Sequence, residues 1–406
     1  MAGKTRRKII IAAVLLAAVC VFVIMFLPVI DEPEKNFDYL WKTFDRYYSN
    51  FECKDIDWRE LCTVYRAKVS SRTRNSELFK IMTELLSHLD DKHVYIRRFN
   101  KVYFSGYDLP VLNYFRILGF DFRLPLKDFS LKLIRKKYIE GEFKKAFFVA
   151  QLNVPPFGFR HVFQYGWLDK SVAYIHMSEM RHDEKKTEEV VKEVMGYFEH
   201  ARAFIIDIRD NIGGYANPLK ESLAHKFADR KRVWTVSYTR NGPAHSDFSE
   251  PVYQTIEPVE SGSLSHLPVI LLTNGNTQSA AELFTLMMRV LPNVTVVGDT
   301  TMGIFSDTNV DHLPNGWEFR LSIKKTADHE GIWLEDRGIT PDVFVKNTAE
   351  NIRGGRDRVL EKALELVESS EKNYRSFAKG ESDRITHILR NPPDLPVRTL
   401  STDSSP

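Results

Sequence analysis

Short apolar runs alternate with helix-forming segments in the second half of the chain, and this alternation constrains the fold more than any other feature. Apolar runs typical of buried strands begin at residues 172, 203, 269 and 294. Between them, apolar positions recur at helical spacing over residues 185–201, 219–227 and 280–290. Strands that alternate with helices form βαβ units, in which the strands run parallel. The sequence therefore predicts an α/β fold with a largely parallel sheet covered by helices.

The stretch from Val269 to Gly303 is the most informative part of this pattern. Its first strand is followed by a polar, glycine-containing turn over residues 273–278, and Ser279 stands where the next helix begins. A serine at such a corner is exposed beside helix amide groups, which can stabilise a developing negative charge. Serine is also a favoured helix N-cap. The pattern alone leaves both roles open for Ser279, nucleophile or cap.

Periodicity and composition divide the rest of the chain. Residues 36–99 have helical periodicity and predict an N-terminal helical lobe. Residues 100–166 are rich in aromatic and basic residues and predict a β-rich connecting segment. The α/β core follows over residues 167–370, with the pattern of a half-buried strand at 315–326. Residues 371–406 are polar, with proline and serine near the end, and predict a disordered tail.

The first 35 residues predict a cytoplasmic tip and a membrane anchor. Lys4, Arg6, Arg7 and Lys8 precede an uncharged run over residues 9–30, which is long enough to span a bilayer. The basic flank should stay in the cytoplasm and place the rest of the chain outside it. A cleaved signal peptide is the alternative, but no small-residue cleavage motif closes the run. We therefore expect a single-pass protein of the cell membrane.

Charge and cysteine content argue against several other classes. The net charge is +3, without a long basic block in the body of the chain, so we expect no nucleic-acid partner. Cys20, Cys53 and Cys62 do not make a disulfide framework, and no metal-ligand spacing occurs. Cys53 and Cys62 could pair, but their apolar surroundings favour free, buried thiols. The sequence predicts neither a metal nor a cofactor.

Separate corners of the chain carry groups suited to nucleophilic catalysis, namely His93, the turn at 211–214, Ser279 and Glu335. A serine nucleophile needs a base, a carboxylate that orients the base, and amide donors for the oxyanion. Gly213 and Gly214 permit backbone conformations that aim N–H groups at a bound carbonyl oxygen, and the Ala280 amide follows the serine directly. His93 taken alone is typical of a surface or capping histidine. Spacing by itself does not single out this set.

Several motifs nevertheless occur in a characteristic order. FDYLWKTFDRYYSNF and LLSHLDDKHVYI are followed by DIRDNIGGYAN, NTQSAAELF, VVGDTTMG and GITPD. Together they resemble the carboxyl-terminal processing and tricorn-core serine peptidases, and the first two resemble the N-terminal lobe of the tricorn-like branch. The resemblance covers most of residues 36–367 and implies a core of the ClpP/crotonase type. It also implies that the nucleophile is Ser279, three residues before Glu282, which we interpret as structural.

The base departs from one pattern of this family. Processing proteases with a serine–lysine dyad carry the lysine directly after a T-x-G turn, whereas Ile304 follows that turn here. The tricorn-like branch instead uses the histidine of an L-x-D-x-H corner and a glutamate just before G-[IV]-x-P-D. The resemblance therefore implies a site made of the nucleophile Ser279, the base His93, the orienting carboxylate Glu335 and the oxyanion donors Gly213, Gly214 and Ala280.

The resemblance implies a membrane-anchored serine endopeptidase that hydrolyses polypeptides outside the cytoplasm, in the periplasm, through an acyl-enzyme. A histidine base should lose activity below about pH 6 to 7. Many family members carry a PDZ module between lobe and core, but residues 97–166 contain no clear carboxylate-binding glycine loop, so we expect a general preference for unfolded or short peptides. Two alternatives remain, a catalytically silent relative that binds peptides or a hydrophobic ligand, and a protease that takes a lysine from elsewhere in the fold.

Overall fold

The computed structural model describes residues 32–99, 101–106, 134, 137–147, 161–169, 171–180, 184–259 and 263–369. Residues 1–31 of the predicted tip and anchor, most of the predicted connecting segment and all of the predicted tail lie outside these residues. Within the described ranges, no helix is both long enough and apolar enough to cross a bilayer.

The chain alternates between helices and strands along most of this length. The helices are α1 (Pro33–Tyr47), α2 (Trp58–Arg66), α3 (Asn75–Ser87), α4 (Glu184–Tyr197), α5 (Asn217–Ser222), α6 (Ala280–Arg289), α7 (Ala349–Arg353) and α8 (residues 358–369). The strands are β1 (Tyr95–Arg98), β2 (Lys101–Phe104), β3 (Glu140–Phe147), β4 (His161–Leu168), β5 (Val172–Met177), β6 (Ala203–Asp207), β7 (Arg232–Thr239), β8 (Val252–Ile256), β9 (Val269–Thr273), β10 (Val294–Gly298), β11 (Thr308–His312), β12 (Glu318–Ser322), β13 (Lys324–Asp328) and β14 (Val343–Phe344).

A seven-stranded central sheet confirms the predicted α/β fold. Its order is β14-β10-β9-β6-β5-β4-β3, and the strands from β14 to β5 run parallel. Every residue of β5, β6 and β9 is buried, as helices on both faces of a sheet require. Ala173 and Ile175 join the core cluster that also contains residues of α4 and α6, whereas Val172 and Tyr174 pack with α8. The period of two along each strand thus builds two separate cores.

The predicted start of the core at residue 167 falls inside this sheet and is therefore wrong. β3 and β4 precede that residue and pair antiparallel at one edge of the sheet. An antiparallel edge pair has no need of a continuous apolar run. The sequence of β3, EGEFKKAF, accordingly carries no such signal.

The N-terminal helices share their core with strands from the other end of the chain. α1, α2 and α3 pack around a cluster that includes Leu313, Trp317, Phe319 and Leu321. β11 and β12 pair with β1 and β2 in a four-stranded antiparallel sheet. The predicted strand at 315–326 is in fact two strands, because β13 leaves this sheet and pairs with β7 and β8 in a third one. The predicted helical lobe is therefore not self-contained.

The cysteines differ from expectation in one respect. Cys53 and Cys62 are both free thiols, but Cys53 is exposed and Cys62 is half-buried. Cys53 lies on a short 3₁₀ turn over Phe51–Cys53, in which Phe51 takes the buried position instead. The expectation of buried thiols is therefore wrong for Cys53.

Candidate active site

A cleft of about 1330 Å³ opens where the carboxyl ends of the parallel strands face the N-terminal lobe. Glu179, Gly214 and Ser279, which follow β5, β6 and β9 respectively, all line it. His93 reaches the cleft from the corner between α3 and β1. In open α/β sheets, ligands bind outside the carboxyl ends of the strands. The cleft therefore has the position expected of an active site in this type of sheet.

Ser279 occupies a strained corner immediately before α6. Its backbone has φ 57° and ψ −124°, a conformation that is costly for a residue with a side chain and that clusters at functional sites. Its N–H donates to Glu282 Oε2 at 3.1 Å, and the Glu282 N–H donates to its carbonyl oxygen at 2.8 Å. Ser279 thus stands at the N-cap position, while its hydroxyl faces the cleft. The two roles left open by the sequence do not exclude each other.

The His93 ring lies against this serine. Nε2 is 3.3 Å from Ser279 Oγ, although the two residues are 186 positions apart. Two hydrogen bonds fix the backbone of His93. Its N–H donates to Asp91 Oδ1 at 2.8 Å, and its carbonyl oxygen accepts from Arg320 Nε at 2.5 Å. His93 is 6% exposed, so the expectation of a surface position is wrong for this histidine.

Two buried carboxylates lie beside the ring. Glu335 accepts a hydrogen bond from the Phe305 N–H at 2.9 Å, and Asp91 Oδ2 accepts from the Tyr48 and Ser322 hydroxyls at 2.9 and 2.8 Å. A carboxylate oxygen of Asp91, a carboxylate oxygen of Glu335 and a ring nitrogen of His93 all lie within 4.8 Å of one another. His93 Nδ1 is buried and has no hydrogen-bond partner within the described part of the chain. Glu335 is thus near the ring without a hydrogen bond to it.

Asp91 is a residue of this cluster that the sequence did not predict. It belongs to the same L-x-D-x-H corner as His93, and that shared motif is the signal that could have identified it. A divalent cation could also bridge groups at this spacing. However, both Asp91 oxygens already accept hydrogen bonds. We therefore interpret the cluster as one that controls protons.

Burial sets the protonation of this cluster. It lowers the pKa of His93 to about 4, assisted by the positive charge of Arg320. Burial also raises the pKa of Glu335 well above its usual range, and the neighbouring Asp91 carboxylate adds to this effect. Two adjacent carboxylates avoid being ionised together, so one of them tends to keep a proton. At neutral pH the imidazole is therefore uncharged and able to accept a proton.

The glycine turn after β6 packs directly against the serine corner. Gly213 has φ +83°, and a Cβ built there would lie 2.8 Å from Ser279 Cβ and 2.9 Å from the Ala280 nitrogen. Its N–H, however, donates to Asn211 Oδ1 at 2.9 Å. The expectation of Gly213 as an oxyanion donor is thus wrong, because its amide is committed to closing the turn. Gly214 and Ala280 both line the cleft beside the serine.

Glu282 ties the serine helix to the turn before Ile304. Its carboxylate accepts hydrogen bonds from the Ser279 N–H, the Thr301 hydroxyl and the N–H groups of Gly303 and Ile304. Burial raises its pKa to about 6, against the opposing effect of these hydrogen bonds. Glu282 therefore holds the turn over residues 301–303, which precedes the lysine in serine–lysine dyad proteases. Ile304, which follows this turn here, lines the cleft. These contacts agree with the structural role expected of Glu282.

A buried ion cluster supports the end of β6. Arg209 donates to Asp207 Oδ2 at 2.6 Å and to both Asp357 oxygens at 2.8 Å. Asp357 lies just before α8, so the cluster joins that helix to the strand that leads into the glycine turn. Asp357 could not be identified from the sequence, because it is 148 residues from Arg209.

Two family models match separate parts of this chain. Residues 171–345 match the model of peptidase family S41, and residues 31–87 match that of the tricorn protease C1 domain. The chain carries a peptidase family S41 domain. The resemblance inferred from the motifs is thereby confirmed.

The relatives that this chain matches include bacterial proteins. The chain is 26% identical over 142 residues to the carboxy-terminal processing protease CtpB of Bacillus subtilis (strain 168). The aligned residues cover 35% of this chain and 27% of CtpB. The chain thus matches only about a quarter of that relative's length. A solved candidate peptidase from Parabacteroides merdae has a TM-score of 0.66 at 26% identity, over 83% of this chain and 97% of that one. Mature CPAF shares the fold, with a TM-score of 0.54 at 13% identity over 80% of this chain and 95% of that one.

Proposed function

We propose that this chain is a serine peptidase that hydrolyses peptide bonds of polypeptides through an acyl-enzyme on Ser279. The observation that carries the proposal is the 3.3 Å contact between Ser279 Oγ and His93 Nε2 at the cleft. The S41 domain supports the class of reaction. The strained backbone of Ser279 supports its role as nucleophile, since such strain is stored where function requires it.

In this mechanism, His93 acts as the general base. Because burial holds its pKa at about 4, the ring is neutral at pH 7 and accepts the Ser279 proton as Oγ attacks the substrate carbonyl carbon. The tetrahedral oxyanion accepts hydrogen bonds from the Ala280 and Gly214 amides. The imidazolium then donates its proton to the leaving amine, and a water molecule, activated by the same ring, hydrolyses the acyl-enzyme.

Glu335 stabilises the imidazolium while it exists. A buried cation needs a negative partner, and the two carboxylates within 4.8 Å of the ring supply one. As the ring gains a proton, ionisation of Glu335 becomes more favourable, because opposite charges at this distance favour each other's charged form. The His93 Nδ1–H then donates a hydrogen bond to the Glu335 carboxylate.

The substrate and location follow from the sequence expectations. We propose that unfolded or short peptides enter the cleft, and that residues 9–30 anchor the chain in the cell membrane with the S41 domain on the extracytoplasmic, periplasmic side. Fractionation of cells that express the full chain and a variant lacking residues 1–31 tests the anchor. Recovery of the full chain in the soluble fraction would contradict it.

A fluorophosphonate probe tests the catalytic assignment, because it forms a covalent bond only with an activated serine. We expect the purified chain to be labelled, Ser279→Ala to lose labelling, and Ser237→Ala, at another serine of the cleft, to keep it. The same proteins are assayed for cleavage of unfolded casein. A folded protein that is neither labelled nor active would contradict the proposal and support a peptide-binding relative without activity.

A further inference from the structure

Lys54 joins the two corners of the chain that carry the proposed base and its carboxylate partner. Its Nζ donates to Asp336 Oδ2 at 2.5 Å and to the Asp90 carbonyl at 3.3 Å. Asp336 directly follows Glu335, and Asp90 lies three residues before His93. The Lys54 side chain is 8% exposed, whereas the Asp336 side chain is 39% exposed, so Lys54 is the buried member of the pair. One side chain therefore spans two segments that are far apart in sequence.

Both of these corners have a strained backbone. Asp90 has φ 44° and Asp336 has φ 62°, in the left-handed region that favours glycine. Such a conformation is energetically costly for a residue with a side chain and persists only where the surroundings hold it in place. A second contact, from the Asp336 N–H to the Gly303 carbonyl at 2.8 Å, fixes one of the corners to the turn beside Ile304. The two hydrogen bonds of Lys54 link the Asp336 corner to the Asp90 corner.

The charge of Lys54 also acts on the cluster beside His93. The ionisable groups that influence this cluster are Asp91, Asp307, Arg320, Asp336 and Glu282, together with Lys54 itself. Arg320 acts on the histidine, whereas the ammonium of Lys54 interacts with the Asp91 and Glu335 carboxylates. Burial alone would lower the pKa of Lys54, but the hydrogen bond to Asp336 and these carboxylates raise it. Lys54 therefore stays charged and favours the ionised form of the carboxylates.

We propose that Lys54 is a positioning residue for the peptidase reaction, which aligns the His93 and Glu335 corners and supplies a positive charge that favours ionisation of their carboxylates as the imidazolium forms. This inference rests on the proposed function. Lys54 lies outside the residues that line the cleft, so it acts through the base and the carboxylate and not on the substrate.

The test compares Lys54→Met and Lys54→Arg with Lys325→Met. Lys325 is a matched control, because it also joins the N-terminal helices to the C-terminal segment, but its ion pair is with Glu52 at 2.8 Å. We expect Lys54→Met to lower kcat about 10- to 100-fold with KM changed less than about twofold, since small displacements of catalytic groups cost that much. Lys54→Arg should recover most of kcat, and Lys325→Met should match the wild type.

A second measurement separates failure of this inference from failure of the proposed function. The ring resonances of His93, followed by NMR at pH 7, should shift in Lys54→Met and stay unchanged in Lys325→Met. If the wild type is active and every variant has the same kcat as the wild type, the role of Lys54 is overturned. If the wild type is not labelled by the fluorophosphonate, the proposed function fails, and unshifted His93 resonances would overturn the alignment by itself. Should Lys54→Met not fold, Lys54→Gln takes its place, since it removes the charge but keeps a hydrogen-bond donor.

Discussion

Gly213→Ala tests how closely the glycine turn and the serine corner depend on each other. A Cβ at this position would lie 2.7 Å from the Gln278 carbonyl oxygen, 2.8 Å from Ser279 Cβ and 2.9 Å from the Ala280 nitrogen. Two of these three atoms belong to the backbone, so no side-chain rotation relieves the contact. Either the glycine turn or the serine corner has to move.

The size of the movement follows from these distances. Ordinary contact begins at 3.4 Å, so the Gln278 oxygen has to separate from the new methyl group by about 0.7 Å, and a displacement near 1 Å costs about 100-fold in rate. Alanine in the left-handed conformation adds about 1–2 kcal/mol of destabilisation. We therefore expect Gly213→Ala to lower the fluorophosphonate labelling rate and kcat/KM about 10- to 100-fold.

Gly331→Ala separates the contact from the backbone strain. Gly331 has φ +82°, close to that of Gly213, but no atom of the described structure lies within 4 Å of a Cβ built there. It should therefore lose stability through strain alone and keep wild-type labelling and kcat/KM. Thermal unfolding and labelling rates are measured on both variants. Wild-type rates in a folded Gly213→Ala protein, or an equal loss in Gly331→Ala, would refute the reasoning.

Other predictions address the base, the buried carboxylate and the ion cluster. His93→Ala should lower kcat/KM at least about 100-fold with a fluorogenic peptide, and retention of the wild-type value would exclude it as the base. Because a base must be neutral and burial lowers the pKa of His93 to about 4, kcat/KM should fall only as the pH approaches about 4, and a fall at pH 6 to 7 would contradict the buried ring. Glu282→Gln places an NH₂ group among donors, so it should lower both the melting temperature and the labelling rate, and unchanged values would show that Glu282 does not hold the turn. Arg209→Met should lower the free energy of unfolding in urea by about 3–5 kcal/mol, because it removes the positive partner of the two buried carboxylates Asp207 and Asp357, whereas Arg232→Met, at a more exposed ion pair, should change it by less than about 1 kcal/mol.

The core strands could be predicted because their signal is local. β5, β6, β9 and β10 are buried strands of a parallel sheet, so each is an apolar run that stands out from its neighbours. β3 and β4 carry no such run and were not predicted as part of the core. The single strand expected at 315–326 is divided between two sheets, since Ile323 separates β12 from β13. Which sheet a strand joins depends on distant partners that periodicity does not encode.

The candidate site shows the same division. By itself, the sequence determined the strand–turn–helix corner at Ser279 and the glycine turn that follows β6, because both are set by neighbouring residues, and the motifs pointed to His93 and Glu335. Only the tertiary structure decided that His93 lies 3.3 Å from Ser279, and that the Gly213 amide is committed to Asn211. It also placed Asp91 beside His93, with Lys54 bridging the corners on either side. Groups brought together from distant segments are positioned by the packing of whole helices and strands, and no local pattern of residues specifies that packing.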